Sequence, residues 1–590
     1  MRVVDAIATW LELAGMEHYF GIAGGAIWGL LDALVDKPEL KGYQAKHESQ
    51  AVHMADTYYR VTGRLAPVLV TKGPGLLNCV GGVANAMHDS IPLLLIGGAG
   101  STHFFGKATM QEIFFHGHED ALSVFRPVTK GSWLVVRPDL VIDVLNQAYR
   151  IATSGRPGPV FVQVPYDVQL AEVEGEVEGP SRRSVSTRQR GDPSSLDQIA
   201  SLLAKAERPL ILAGGGTARS SGAPESLRTV AEKLNVPIVT TLVGKGVVSE
   251  EHELSLGPVG RSGTGCAAEA TREADVIVAV GARFADNHAG NWRKGSIYDI
   301  TKTKIVQVDL DPAEVGRNYP VEVGLLSDAK LFFDDLAAAT NGRRNGDGWV
   351  KQISGMRSRW REEIKPVITS PTSPIHPGRL SYEAGEALPK NGRVYIDVGD
   401  VIQYAEPYMT IRTPGAWQIN PGMAEMSWAS SGVLGALAAE PDRAALVLTG
   451  DGAFNMTSSI VATAVEYALP AVWVILNNNE FGIERKGAFN AYKRVHPWTK
   501  FTRVDTGQPY NPDFAALARA YGAEGERVEN AEQFRPALER AFASGRPYIV
   551  DVPIDLGIPT YFTKGLDRAY PDKWGESYPS QGLLRLKTKG

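Results

Sequence analysis

Two cysteines in 590 residues, Cys79 and Cys266, are too few and too far apart for a disulfide framework or a zinc site. Reduced thiols in a cytoplasmic protein are the expectation that follows. No uncharged apolar run is long enough to span a bilayer, and the apolar residues between 3 and 14 are interrupted by Asp5 and Glu12, unlike the core of a signal peptide. Blocks of Lys and Arg are also missing, and the net charge is only -5, so neither nucleic acid nor a membrane is an expected partner. What is present is globular in composition, with 44% hydrophobic and 22% charged residues. A chain of this length exceeds one core and divides into about three or four domains.

Short β-branched runs ending near glycine recur at 68–71, 93–97, 160–164, 210–213, 276–281, 305–308, 445–449 and 472–476, with helical periodicity between them. This alternation predicts parallel sheets covered by helices. Polar, Gly/Pro/Ser-rich stretches at 172–195, 341–348 and 371–377 mark breaks between units. Ala84-Asn85-Ala86 precedes Pro92 at the same spacing as Ala462-Thr463-Ala464 precedes Pro470. The match either relates two doubly wound domains or is a coincidence of a common helix–Pro–strand join. Beyond an expected last strand at 551–553 the tail carries Tyr561, Phe562, Tyr570, Trp574 and Tyr578, too aromatic to stay solvated.

Gly450-Asp451-Gly452 closes a predicted strand, and one helix and one strand later comes Asn477-Asn478. That interval is one strand–helix–strand unit, which places Asp451 and Asn478 at neighbouring strand ends on one sheet edge. A carboxylate and an amide oxygen there, completed by a diphosphate, make the oxygen shell that magnesium takes. Gly452 lets the backbone approach a phosphate closely. Gly-Asp-Gly alone is more often a turn; with Asn-Asn at this spacing it points to a metal–diphosphate site.

These segments resemble the thiamine-diphosphate family of acetolactate synthase, pyruvate decarboxylase, benzaldehyde lyase, oxalyl-CoA decarboxylase and 2-hydroxyacyl-CoA lyase, along nearly the whole chain. The resemblance implies thiamine diphosphate and Mg2+ as cofactors, with Asp451, Asn478 and the carbonyl of Glu480 as metal ligands. Lys46-His47-Glu48 looks like the family's Arg-His-Glu, flanked by family-like segments at 20–26 and 71–75. Glu48 then hydrogen-bonds N1′ of the aminopyrimidine and relays a proton through it. Residues 420–426 stand where relatives carry Gly-Thr-Met-Gly, so Ala424 inherits the carbonyl that meets the 4′-amino group and Met426 the prop beneath the cofactor. The implied architecture is three doubly wound α/β domains at 1–180, 190–345 and 370–555, followed by a lid-like extension at 556–590. The implied assembly is a homodimer with the cofactor between two subunits, doubled into a homotetramer.

Ile483-Glu484 resembles the pyruvate decarboxylase pattern, in which the glutamate shuttles protons at the reacting carbon, whereas acetolactate synthases have an apolar residue there. Against Ile483 and the cofactor, Glu484 would be desolvated; the other reading pairs it with Arg485 or Lys486 on a solvated helix face. Gly24-Gly25-Ala26 and Met110-Gln111-Glu112, by contrast, look synthase-like. The combination is most similar to the actinobacterial 2-hydroxyacyl-CoA lyases, which implies cleavage of a short-chain 2-hydroxyacyl-CoA to formyl-CoA and a ketone or aldehyde. An acetolactate synthase-like carboligase or a 2-oxo-acid decarboxylase is the alternative. Gln111, Phe115, His116, Leu122 and Ile483 are the candidate substrate pocket. Arg219 and Arg283 beside strand-end glycines are candidates for the nucleotide of a CoA thioester, and FAD is not expected.

Overall fold

The computed structural model describes residues 1–555 apart from 186, 294 and 341–345, together with 557–559, 561 and 563. Among the described residues eighteen strands form three all-parallel sheets of six. The first contains β1 (His18–Gly21), β2 (Lys41–Gln44), β3 (Pro67–Val70), β4 (Leu94–Ala99), β5 (Gly131–Leu134) and β6 (Val160–Pro165), in the order β2-β1-β3-β4-β6-β5. The central sheet contains β7 (Pro209–Ala213), β8 (Ile238–Thr240), β9 (Ser255–Pro258), β10 (Val276–Val280), β11 (Lys304–Asp309) and β12 (Val323–Leu326), in the order β12-β11-β10-β7-β8-β9. The third contains β13 (Arg393–Ile396), β14 (Trp417–Ile419), β15 (Ala445–Gly450), β16 (Ala471–Asn477), β17 (Glu524–Arg527) and β18 (Tyr548–Pro553), in the order β14-β13-β15-β16-β18-β17.

Each of the apolar runs read from sequence becomes an interior strand, because strands covered by helices on both faces need side chains that are apolar throughout. The edge strands are at most four residues long and carry no such run. The first and third sheets share one strand order. The repeated Ala-x-Ala segments lie on the helices Val80–Asp89 and Ile460–Glu466, each entering the fourth strand of its sheet, so their common spacing marks equivalent positions.

The first and third units share a core across the helices Glu48–Thr62 and Trp428–Ala439. Residues between 345 and 370, unassigned from sequence, are mostly the helix Asp347–Ile368, which buries Trp349, Ile353, Met356 and Trp360 against the central sheet. Of the tail, Tyr561 packs on Trp360 and Tyr408, and Thr563 donates to the carbonyl of Gly260. Phe562, Tyr570, Trp574, Tyr578 and most of the expected lid lie outside the described residues. Among the described residues no helix is long and apolar enough to cross a membrane, and Cys79 and Cys266 are buried free thiols.

Glu406, on the helix Asp400–Tyr408, is buried where the third unit meets the central one. Neither of its carboxylate oxygens has a hydrogen-bond partner among the described residues. Burial pushes its carboxyl up to about 8, against the pull of Lys245 and Arg261. The folded protein therefore keeps a proton there that the unfolded chain releases near its ordinary value of 4.5, so stability is lost as pH rises between those two values and levels off above. Thermal unfolding from pH 6 to pH 9 should show a decline that Glu406→Gln flattens, and equal pH slopes in the two proteins would contradict this account.

Candidate active site

Parallel pairing of β15 with β16 sets Gly450 opposite Leu476, so the turns that begin at Asp451 and at Asn478 open side by side at the carboxyl edge of the third sheet. Asp451 is buried, and its Oδ2 accepts from the amides of Asn478 (3.2 Å) and Asn479 (2.6 Å) and from Nδ2 of Asn511 (2.6 Å). Among the described residues Oδ1 accepts only from Gly452 N at 2.8 Å, which makes it the oxygen with capacity left. Burial raises the Asp451 carboxyl to about 6, and the N–H donors hold it from rising further. Asn511, on a long loop with no sequence signal, also bonds Asn477 Oδ1 at 2.8 Å, while Asn477 Nδ2 is held by Asp551. Asn479 has a left-handed φ of 57°, and its carbonyl accepts from Phe501 N as Phe481 N donates to Thr499. Those two bonds leave the Glu480 carbonyl unused, and the Glu480 side chain pairs with Arg485.

The loop from Asn420 to Ser427 reaches this edge through a carboxylate that the sequence reading missed. Asp397, buried at the end of β13, accepts from Ser427 N (2.8 Å), Ser430 Oγ (3.0 Å) and Thr449 Oγ1 (3.0 Å). Thr449 directly precedes Gly450-Asp451, so one side chain ties the loop to the strand end. The strand-end Asp397-Val398-Gly399 was the available signal. Within the loop Ala424 is exposed with φ 54° and Met426 is half-buried, both accessible to a ligand.

Glu48 stands apart from this set, in the first turn of its helix on the carboxyl edge of the first sheet. Its Oε2 accepts from Asn78 Nδ2 at 2.9 Å, and no hydrogen bond or ion pair joins it to Asp451, Asn478 or the 420–427 loop among the described residues. The carbonyl of Gln111 lies against Gly73, in the turn next to Glu48, and the Glu112 carboxylate is buried beside Lys72. Phe115 is 79% exposed and His116 is exposed as well. Leu122, at 4%, is core, because the helix Asp120–Phe125 turns it inward, so in this chain it offers no surface to a substrate.

The helix expected after the magnesium loop is present at Gly482–Tyr492, with Ile483 half-buried at its start. Glu484 is exposed in the single chain. Arg485 is engaged by Glu480 and Lys486 by Asp400 and Tyr404, so the cations that the other reading pairs with Glu484 have partners elsewhere. In the central unit, Gly214 and Gly216 close directly on the backbone of Gly281, which explains those glycines by packing. Arg283 donates to the carbonyl of His88 at 3.0 Å and Arg219 lies 3.9 Å from Asp89. Both arginines thus meet the end of the helix Val80–Asp89.

Among the described residues no group of three His, Cys, Asp or Glu is gathered as a metal cluster. The third-sheet edge offers one carboxylate, one side-chain amide and one free carbonyl, a hard oxygen set that suits magnesium when a diphosphate supplies the rest. Family models for thiamine pyrophosphate enzymes match in three places: the N-terminal TPP-binding domain at 1–120, the central domain at 196–336 and the C-terminal TPP-binding domain at 397–552. The chain is 33% identical over 570 residues to a probable acetolactate synthase large subunit of Methanocaldococcus jannaschii, covering 94% of this chain and 92% of that protein. It is 32% identical over 564 residues to the acetolactate synthase large subunit of Corynebacterium glutamicum (93% and 86% covered) and 30% over 562 residues to that of Haemophilus influenzae (93% and 94%).

Asp397→Asn would set an amide N–H2 against groups that donate to the present carboxylate. A loss of about 1–3 kcal/mol is expected from the unsatisfied donors, read as a lowered denaturation midpoint, and an unchanged midpoint would contradict the anchoring role.

Proposed function

As the chain belongs to the thiamine pyrophosphate enzymes, we propose that it is a carboligase of the acetolactate synthase type, joining 2-oxo acids. The observation that carries this reading is extent: relatives bearing that name match 93–94% of the chain, through both cofactor-binding domains and the central one. Thiamine diphosphate, when bound, supplies the electron sink for the reacting carbon. Asp451 Oδ1, Asn478 Oδ1 and the Glu480 carbonyl would hold its magnesium, the Ala424 carbonyl would accept from the 4′-amino group, and Met426 would support the bent cofactor. Glu48 would hold a proton at N1′.

Glu48 and Asp451 lie on different sheet edges, and the reading includes a homodimer in which the first-domain edge of one protomer meets the third-domain edge of its partner. Exposed apolar side chains support it, Leu77, Met110 and Phe115 on the first domain and Met423, Met456 and Tyr492 on the third.

A second reading, the 2-hydroxyacyl-CoA lyase, has one observation in its favour. Glu484 occupies the first turn of the helix that leaves the magnesium loop, beside Ile483, where synthases resemble one another in lacking a carboxylate. Purified protein with thiamine diphosphate and magnesium, given pyruvate in one reaction and formyl-CoA with acetone in another, separates the two. Acetolactate from the first supports the carboligase; a 2-hydroxyacyl-CoA from the second with no acetolactate replaces it by the lyase. Glu484→Ala should leave carboligation near the parent rate, whereas in the lyase it should slow turnover by about 10- to 1000-fold. Glu48→Gln should abolish either activity while cofactor and magnesium still raise the melting temperature; substantial residual turnover would remove Glu48 from its role.

A further inference from the structure

His53 lies on the same helix as Glu48 but about 140° further round its axis. It faces the third unit, is buried, and places Nε2 3.0 Å from Oε2 of Glu425. Glu425 sits between Ala424 and Met426, in a loop whose backbone is left-handed at two non-glycine residues, Ala424 (φ 54°) and Ser427 (φ 68°). Such a conformation persists only when its surroundings hold it. Ser427 is held by Asp397 at one end, and Asn420 bonds both Asn85 and the Glu425 carbonyl at the other. Between those points, among the described residues, the side chain of Glu425 is held by His53. The helix Val80–Asp89 closes over the pair: a Cβ at Gly81 would come within 2.7 Å of Glu425 Oε1. Burial by itself would lower the His53 pKa, but the charges of Glu425, Asp56 and Asp397 outweigh it and raise it, which favours the ion pair.

We propose that His53 and Glu425 form a positioning pair that sets the 424–426 backbone for the aminopyrimidine of the cofactor. The inference rests on the function proposed above; it adds His53, which lies outside the family-like segments, and gives a role to Glu425, to which the 420–426 segment assigned none. The pair transfers no proton to substrate; it orients the residues on either side of Glu425.

The dissociation constant of thiamine diphosphate at saturating magnesium, measured by titration calorimetry, and the melting temperature of the cofactor-free protein test it together. Glu425→Gln and His53→Gln should each weaken cofactor binding about 10-fold or more, by analogy with groups that orient ligands from behind, with cofactor-free melting temperatures close to the parent. The double variant should bind no more weakly than the weaker single, since both remove one interaction. Glu425→Asp, which keeps the charge, should recover part of the affinity. Unchanged affinity in Glu425→Gln, a melting temperature that falls while affinity holds, or losses that add in the double variant would overturn the pair. Should His53→Gln fail to fold, the Glu425→Gln and Glu425→Asp comparison decides alone. A parent protein that binds no cofactor overturns the proposed function, an outcome distinct from failure of the pair in a protein that binds it.

Discussion

The Arg60 guanidinium lies between the carboxylates of Asp56 and Asp89, at 2.5 and 2.8 Å, with the indole of Trp428 4.6 Å from it. Arg60 also donates to the carbonyl of Ile419, and the Trp428 indole donates to Asp56. All three charged groups are buried, a situation tolerated only while each remains paired. Asp56 and Arg60 belong to the helix that begins at Glu48, Asp89 to the end of Val80–Asp89, and Ile419 and Trp428 flank the 420–427 loop. The network therefore fixes the third unit's loop against the first unit's helices, and Arg219 and Arg283 bring the central unit to the same point.

The candidate site lies at the carboxyl edge of the third sheet. Parallel strands all end on the same side, so the turns after β13, β15 and β16 deliver Asp397, Asp451 and Asn478 to one place without any long-range motif. Asp397 joins the end of β15 to the loop after β14 by accepting from Thr449 and Ser427. Asn511 adds a donor to Asp451 from a loop far along the chain. Asn511 occupies Oδ2 of Asp451, whereas Asp397 acts one residue further back, on Thr449.

The helix Gly482–Tyr492 shows how local pattern and packing diverge. Its position after the metal loop followed from the residues around Ile483-Glu484, and it is found there. The direction of Glu484 did not follow, because successive helical residues point about 100° apart and the inward side was taken by Arg485 and Lys486, whose carboxylate partners Glu480 and Asp400 come from elsewhere in the fold. Arg219 and Arg283, placed by sequence beside strand-end glycines, meet the helix end at His88-Asp89, a contact with no signal in the local pattern.

By itself the sequence determined the α/β class, the interior strands, the turn that carries Asp451 and the spacing that brings Asn478 beside it, because each depends on residues within one strand–helix–strand unit. Hydrophobic periodicity and strand-end glycines report such local order directly. Only the tertiary structure decided that Leu122 is core, that Glu484 is exposed in the single chain, that Asp397 and Asn511 brace the edge at Thr449 and Asp451, and that His53 meets Glu425. Those outcomes depend on which distant side chain arrives with the right charge at the right distance, and nothing in the immediate sequence around either partner encodes the meeting.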